Sequence, residues 1–247
     1  MTAQIRAELY KHRSTRTNLG LLAAMLGLIL LVVLLHAVAL PATEAARRTV
    51  QTSDTFGRGE MLAALFAALV GAMSITSEFR HGTIRPTLLV TPQRGRVIVA
   101  KVSASVLIGS VFGLIGAGFA AGAGSAALAA RGIPIRLDGG DFALLLGGSI
   151  VASALLAAIG VGVGAAIRHQ VPTVVGICAW LLFVEGLLVG DAGSVGTIGR
   201  YLPGALGNAA SGQVPQLAAG PAMLLLAIYA AAAAAAGWRV SIRRDVA

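Results

Sequence analysis

Glu78, Arg80, His81, Gly82, Thr83 and Arg85 put a carboxylate, two guanidinium groups and an imidazole within eight residues, directly after an apolar run. Arg94, Arg96 and Lys101 follow before the next apolar run. Side chains of these types form ion pairs and charged hydrogen bonds with a partner surface or with lipid phosphates. Gly82 can stop the preceding helix, and Thr91-Pro92 starts a second turn rich in arginine. Between them Ile84, Leu88, Leu89 and Val90 form an apolar patch that a solvated loop does not need. The stretch therefore reads as a short helix turning an apolar face to a partner protein.

Glu185 is the second candidate. It lies about 14 residues into an apolar run, roughly 21 Å along a helix, where charge is costly unless it faces a cavity or a partner. It is expected to line an outer pathway or a subunit interface, or else to be a partly hydrated carboxylate near the outer surface. His36 reads as a hydrogen-bonded interfacial histidine. Glu44, Asp54, Glu60, Asp138 and Asp141 fit no EF-hand spacing and read as solvated loop charges. Cys178 is the single cysteine, so no disulfide framework and no Cys/His metal cluster is expected.

The chain is not expected to be an enzyme. Nucleotide hydrolysis needs a glycine-rich loop ending in Gly-Lys-Ser/Thr, whose backbone N–H groups and lysine hold the phosphates. The two lysines here, Lys11 and Lys101, follow Tyr10 and Ala100. The apolar runs also lack paired aspartates and a His-Glu-x-x-His motif. No cofactor is expected in this chain.

The elements that must position these groups are membrane helices. With 57% hydrophobic residues, 12% charged residues and a mean hydropathy of +0.84, the chain has too little polar surface to face water. Six runs approach or exceed the roughly 20 residues a bilayer crossing requires. They cover about 19–40, 61–77, 102–130, 142–167, 171–189 and 221–238, a single all-α transmembrane domain over 1–247. The first run is longer than a signal-peptide core and is read as a retained span, despite the small-x-small pattern of Ala37-Val38-Ala39. The net charge of +9 flanks apolar runs rather than gathering on one soluble face, so nucleic acid is not expected as a partner.

Orientation follows from arginine and lysine. Thirteen of the nineteen lie in the N-terminal segment, the 78–101 loop, Arg168 and the C-terminal tail; the other six are Arg47, Arg48, Arg58, Arg131, Arg136 and Arg200. Positive residues stay on the cytoplasmic side, which predicts cytoplasmic termini. Residues 1–18 read as an amphipathic helix lying on that surface and meeting membrane lipid. Four glycine pairs at four-residue spacing, Gly109/Gly113, Gly118/Gly122, Gly160/Gly164 and Gly186/Gly190, permit close helix packing and identify no substrate.

These residues resemble the permease subunits of type-2 ATP-binding-cassette exporters of actinobacterial character. The resemblance is carried by the glutamate ending the second run, by Arg80-His81-Gly82-Thr83-Ile84-Arg85, by Arg94-Gly95-Arg96 and by Lys101. Arg6-Ala7-Glu8-Leu9-Tyr10-Lys11 is similar to that family's interface helix, and Arg200-Tyr201-Leu202-Pro203-Gly204 to its last external loop. Specific matching covers about forty residues, whereas the number and order of spans match over nearly the whole chain. The resemblance implies a cytoplasmic coupling helix within 78–101, marked by Glu78, Arg80, His81, Gly82, Thr83 and Arg85. It further implies two copies of a separate ATPase that binds ATP and Mg, a second permease subunit, identical or paralogous, and a bacterial plasma membrane. The expected function is efflux of an amphipathic or hydrophobic substrate such as a drug, lipid or antibiotic-like molecule. The alternatives are a stand-alone secondary carrier or channel, or a non-transporting membrane scaffold.

Overall fold

A computed structural model describes residues 2–83, 94–189, 198–214 and 217–243. It is helical, with no strand among the described residues. The order is α1 (Thr2–Ser14), α2 (Arg16–Ala39), α3 (Ala42–Ala45), α4 (Arg48–Val50), α5 (Arg58–Arg80), α6 (Arg94–Ala130) and α7 (Gly139–Ile167). Then come α8 (Gln170–Ala179), α9 (Glu185–Val189), α10 (Pro203–Ala210) and α11 (Ala219–Arg243). Two π-helical segments, Gln51–Phe56 and Trp180–Val184, join α4 to α5 and α8 to α9.

Among the described residues, six helical stretches are long and apolar enough to cross a membrane: Arg16–Ala39, Arg48–Arg80, Gly95–Ala130, Gly139–Ile167, Gln170–Leu188 and Ala219–Val240. The second and third extend well beyond their apolar runs, because α4 and the π segment continue into α5 and because α6 begins in arginine-bearing sequence. Residues 84–93, where the short partner-facing helix was expected, and Gly190 lie outside the described residues.

The second crossing is the hub. Its most apolar window is 78% buried, against 11% for the fifth, and α5 packs on α2, α6, α7 and α8. Helix α7 packs on α5, α6 and α11. Helix α2 shows the opposite habit: Met25, Ile29, Val33 and Ala37 form a buried stripe at four-residue spacing, while Leu30, Leu31, Leu34, Leu35 and Val38 are exposed. In water so many bare leucines would be unfavourable, whereas lipid tails accept them without cost.

The glycine pairs divide by what surrounds them. A Cβ on Gly113 would run into Ser149 O, and one on Gly109 would stand 2.6 Å from Ser153 O, so α6 and α7 touch backbone to backbone. Gly160 and Gly164 allow the same approach of α7 to Ala68 and Ala72 of α5. Gly118, Gly122 and Gly186 have open space. At the start of α7, Asp138 and Asp141 form a reciprocal capping box, and Asp141 also takes Arg48 at 2.6 Å. These two acids are helix-start fixtures, not loosely solvated loop charges.

Gly160→Val should destabilise the bundle by about 1–3 kcal/mol or prevent its assembly, since the α5 backbone cannot yield to the added atoms. Gly118→Ala should leave thermal unfolding in detergent unchanged or slightly raised. Equal melting temperatures for the two variants would contradict the packing described.

Candidate functional site

The fold gathers both lysines of the chain at one end of the bundle. Lys101, seven residues into α6, is completely buried. Its ammonium donates to Glu8 Oε2 at 2.8 Å, Glu78 Oε1 at 2.8 Å and the Ser74 carbonyl at 3.0 Å. An ammonium has three protons, and all three are satisfied. Lys11 Nζ reaches Glu8 Oε1 and Glu78 Oε1, each at 2.8 Å. Two lysines and two glutamates thus form a formally neutral network joining α1, α5 and α6. Glu78 Oε2 is buried and has no hydrogen-bond partner.

The electrostatics follow from this geometry. Burial alone would raise the Glu8 carboxyl, but Lys101 and Lys11 overcome it and hold the group below its ordinary value of 4.5. Burial likewise opposes the charge on Lys11, yet Glu78 and Glu8 raise it above 10.5. His12, buried on α1, is lowered from 6.5, chiefly by desolvation. Asn18 Nδ2 lies 3.0 Å from His12 Nδ1 and donates to the His12 carbonyl at 2.8 Å, tying α1 to the start of α2.

The residues expected to meet a partner occupy different environments. Glu78 is buried within the network, whereas Arg80, His81, Gly82 and Thr83 are exposed just beyond it. Arg80 donates to Gln170 of α8 at 3.2 Å, His81 Nδ1 lies 2.8 Å from the Ser77 carbonyl, and Gly82 adopts a φ of 69° as the helix ends. Arg85 lies outside the described residues. A cleft of about 800 Å³ opens beside the network, bordered by His12, Asn18, Ser77, Arg80 and Gln170.

A second polar centre lies at the other end of α5, about 27 Å away at 1.5 Å per residue. Glu60, expected as a solvated loop charge, is 2% exposed and accepts from Gln213 Nε2 at 3.2 Å. Its place as the third residue of α5 turns it inward rather than into a loop. Glu185 is 4% exposed; the Trp180 indole donates to it at 2.6 Å and the Ala205 backbone N–H at 3.1 Å. It thereby serves the N-terminus of α10, where backbone N–H groups lack helical partners. Both carboxylates line one cavity of about 330 Å³. His36 is half-buried, with Nδ1 2.8 Å from the Val32 carbonyl of its own helix.

Glu8 and Lys11 were not identified as partners of Glu78 and Lys101 from sequence. The available signal was arithmetic: of the two lysines in the chain, one stands directly at the start of an apolar run, where an ammonium drawn into the helix needs acids beside it.

Among the described residues, six helices able to cross a bilayer, with a polar network at each end of the central one, define a multi-pass membrane protein. The chain matches no protein-family model, and no curated protein matches it.

Two outcomes are expected. Lys101→Met should cost about 3–5 kcal/mol by leaving two buried carboxylates, Glu8 and Glu78, with Lys11 as their one remaining cation, read as a lowered melting temperature; adding Glu8→Gln should recover part of it. Docking of α1 should also depend on pH. A depressed His12 favours the neutral form, so its contribution is complete above 6.5 and lost as pH falls through the lower folded value. Glu8 adds a contribution that is complete above 4.5 and lost below it, and Lys11 one that is complete below 10.5 and lost above it. A spin label at Arg6→Cys in a Cys178→Ala background should be least mobile near pH 7–9, and mobility that does not change on acidification would contradict this.

Proposed function

We propose that this chain is the membrane-spanning subunit of an ATP-powered exporter, taking its energy from a separate ATPase through the 78–101 segment. One observation carries the reading furthest: Glu78 before the segment and Lys101 after it are ion-paired at 2.8 Å, and α1 is locked to both. Force applied to a loop moves a helix bundle only if the roots of the loop are stiff. Here both roots end in one buried knot, from which α5 and α6 run across the bundle. In this reading Arg80, His81 and Thr83 contact the ATPase, while Glu78 transmits and does not touch it. In this reading α1 lies along the same membrane surface as the interface helix. ATP and Mg belong to the partner, two copies of which serve a pair of permease subunits. Coupling requires that the ATPase bind the two transport states with different affinity, since otherwise nucleotide would shift nothing.

The stand-alone carrier gains one observation of its own, because Glu60 joins Glu185 as a second buried acid. Secondary carriers place such groups near the midplane to couple ions to cargo. Both acids here sit toward one end of the bundle, which favours the exporter.

Purification from the native host in mild detergent should bring down an ATPase with the chain. In the reconstituted complex, Arg80→Ala and His81→Ala should each reduce substrate-stimulated ATPase activity several-fold while leaving the melting temperature of the chain alone. An ATPase that never accompanies the chain, or transport that proceeds without nucleotide, would overturn the assignment in favour of the carrier.

A further inference from the structure

The two ends of α5 treat their acids differently. Near α1, two buried glutamates are matched by two lysines. At the far end, Glu60 and Glu185 line one cavity, and among the described residues no Lys, Arg or His nitrogen lies within ion-pair distance of either. Their hydrogen-bond donors are neutral: an amide, an indole and a backbone N–H. The nearby arginines are turned to other partners. Arg58 pairs with Asp54 at 2.8 Å, and Arg200 lies 4.9 Å from the Tyr201 ring, with its Nε buried and unpartnered. Asp54 stands outside the lining and neutralises Arg58, which leaves Glu60 and Glu185 of the lining against Arg200 alone.

The surrounding backbone is shaped to hold both carboxylates. A Cβ on Gly204 would stand 2.6 Å from Glu185 Oε2, and one on Gly207 would stand 2.9 Å from Glu60 Oε1. Three residues apart on α10, these glycines share a face, so one short helix braces both acids. Arg58, Arg200 and Asn208 also line the cavity, and the rest of its wall is apolar, with Leu65, Leu156, Leu181 and Val214 among its residues. An inorganic cation would need several oxygen ligands, and no trio of His, Cys, Asp or Glu gathers among the described residues. A cation with an apolar body fits better: its charge offsets the buried acids and its hydrocarbon replaces water against leucine.

We propose that the cavity between Glu60, Glu185 and α10 binds an amphipathic organic monocation, such as a lipophilic amine or quaternary onium ion. This rests on the reading that the chain carries cargo, and it narrows the cargo to cationic amphiphiles.

The probes are tetraphenylphosphonium and tetraphenylborate, which share a shape and differ in the sign of their charge. The chain is placed in lipid nanodiscs without any ATPase. Trp238→Phe leaves Trp180, the hydrogen-bond partner of Glu185, as the sole tryptophan. Tetraphenylphosphonium should change Trp180 fluorescence saturably, whereas tetraphenylborate should not. Glu185→Gln or Glu60→Gln should weaken cation binding roughly tenfold, the loss of one charged contact. Equal responses to the two ions would reduce the cavity to an apolar one, and unchanged affinity in both variants would remove the acids from it; either result overturns the proposal. The comparison of the two ions needs neither glutamine variant to fold. Absence of binding leaves the exporter assignment standing, and a missing ATPase leaves a positive binding result standing.

Discussion

An ammonium ion removed from water must find other partners for its three protons and its charge, and Lys101 meets that requirement inside the bundle. Its position on α6 is compatible with an apolar membrane helix only because Glu8 and Glu78 arrive from two other elements. That demand explains why α1 lies against the bundle instead of trailing in solvent. It also explains why the C-terminal turn of α5 and the N-terminal third of α6 stay side by side. Apolar contacts between helices in lipid provide little net drive, so polar pairing and backbone contact at small residues must supply register. The Lys101 knot supplies it at one end, and the Gly109/Gly113 and Gly160/Gly164 contacts supply it along the middle.

Much of this architecture was legible in the sequence, because hydropathy reports a bilayer crossing directly: a helix satisfies its own backbone and needs about twenty apolar residues. Helix ends were less legible. The π segment at Gln51–Phe56 carries the second crossing past the polar Thr52, Ser53 and Asp54, which a hydropathy window reads as a loop. The glycine pairs were visible as pairs, but their facing helices were not, so Gly113 and Gly118 looked alike until α7 was seen beside one and open space beside the other.

The polar sites were legible in part. Glu185 stood out because it is isolated in apolar sequence. Glu60 did not, because it follows Arg58 and Gly59 at a run boundary, where a carboxylate usually faces water. Whether such a residue turns inward depends on α10 and Gln213, more than 140 residues further along the chain. Glu78 illustrates a different limit: sequence placed it in a charged stretch, and tertiary pairing separated it from its exposed neighbours Arg80 and His81.

The π-helical segment at Trp180–Val184 carries a consequence of its own. Each residue of an α-helix turns the chain by about 100°, and a π bulge accommodates one extra residue without breaking the rod. The rotation of one turn is spread over one more residue, so the helix beyond the bulge keeps its facing while its residues run one place ahead. The inward aim of Glu185 is thus a matter of phase: it falls where an unbulged helix would have put Val184. A segment one residue shorter could revert to α-helical turns and leave the carboxylate facing α10. This part of the fifth crossing can therefore absorb a change of length that elsewhere in a span would turn the following side chains to lipid.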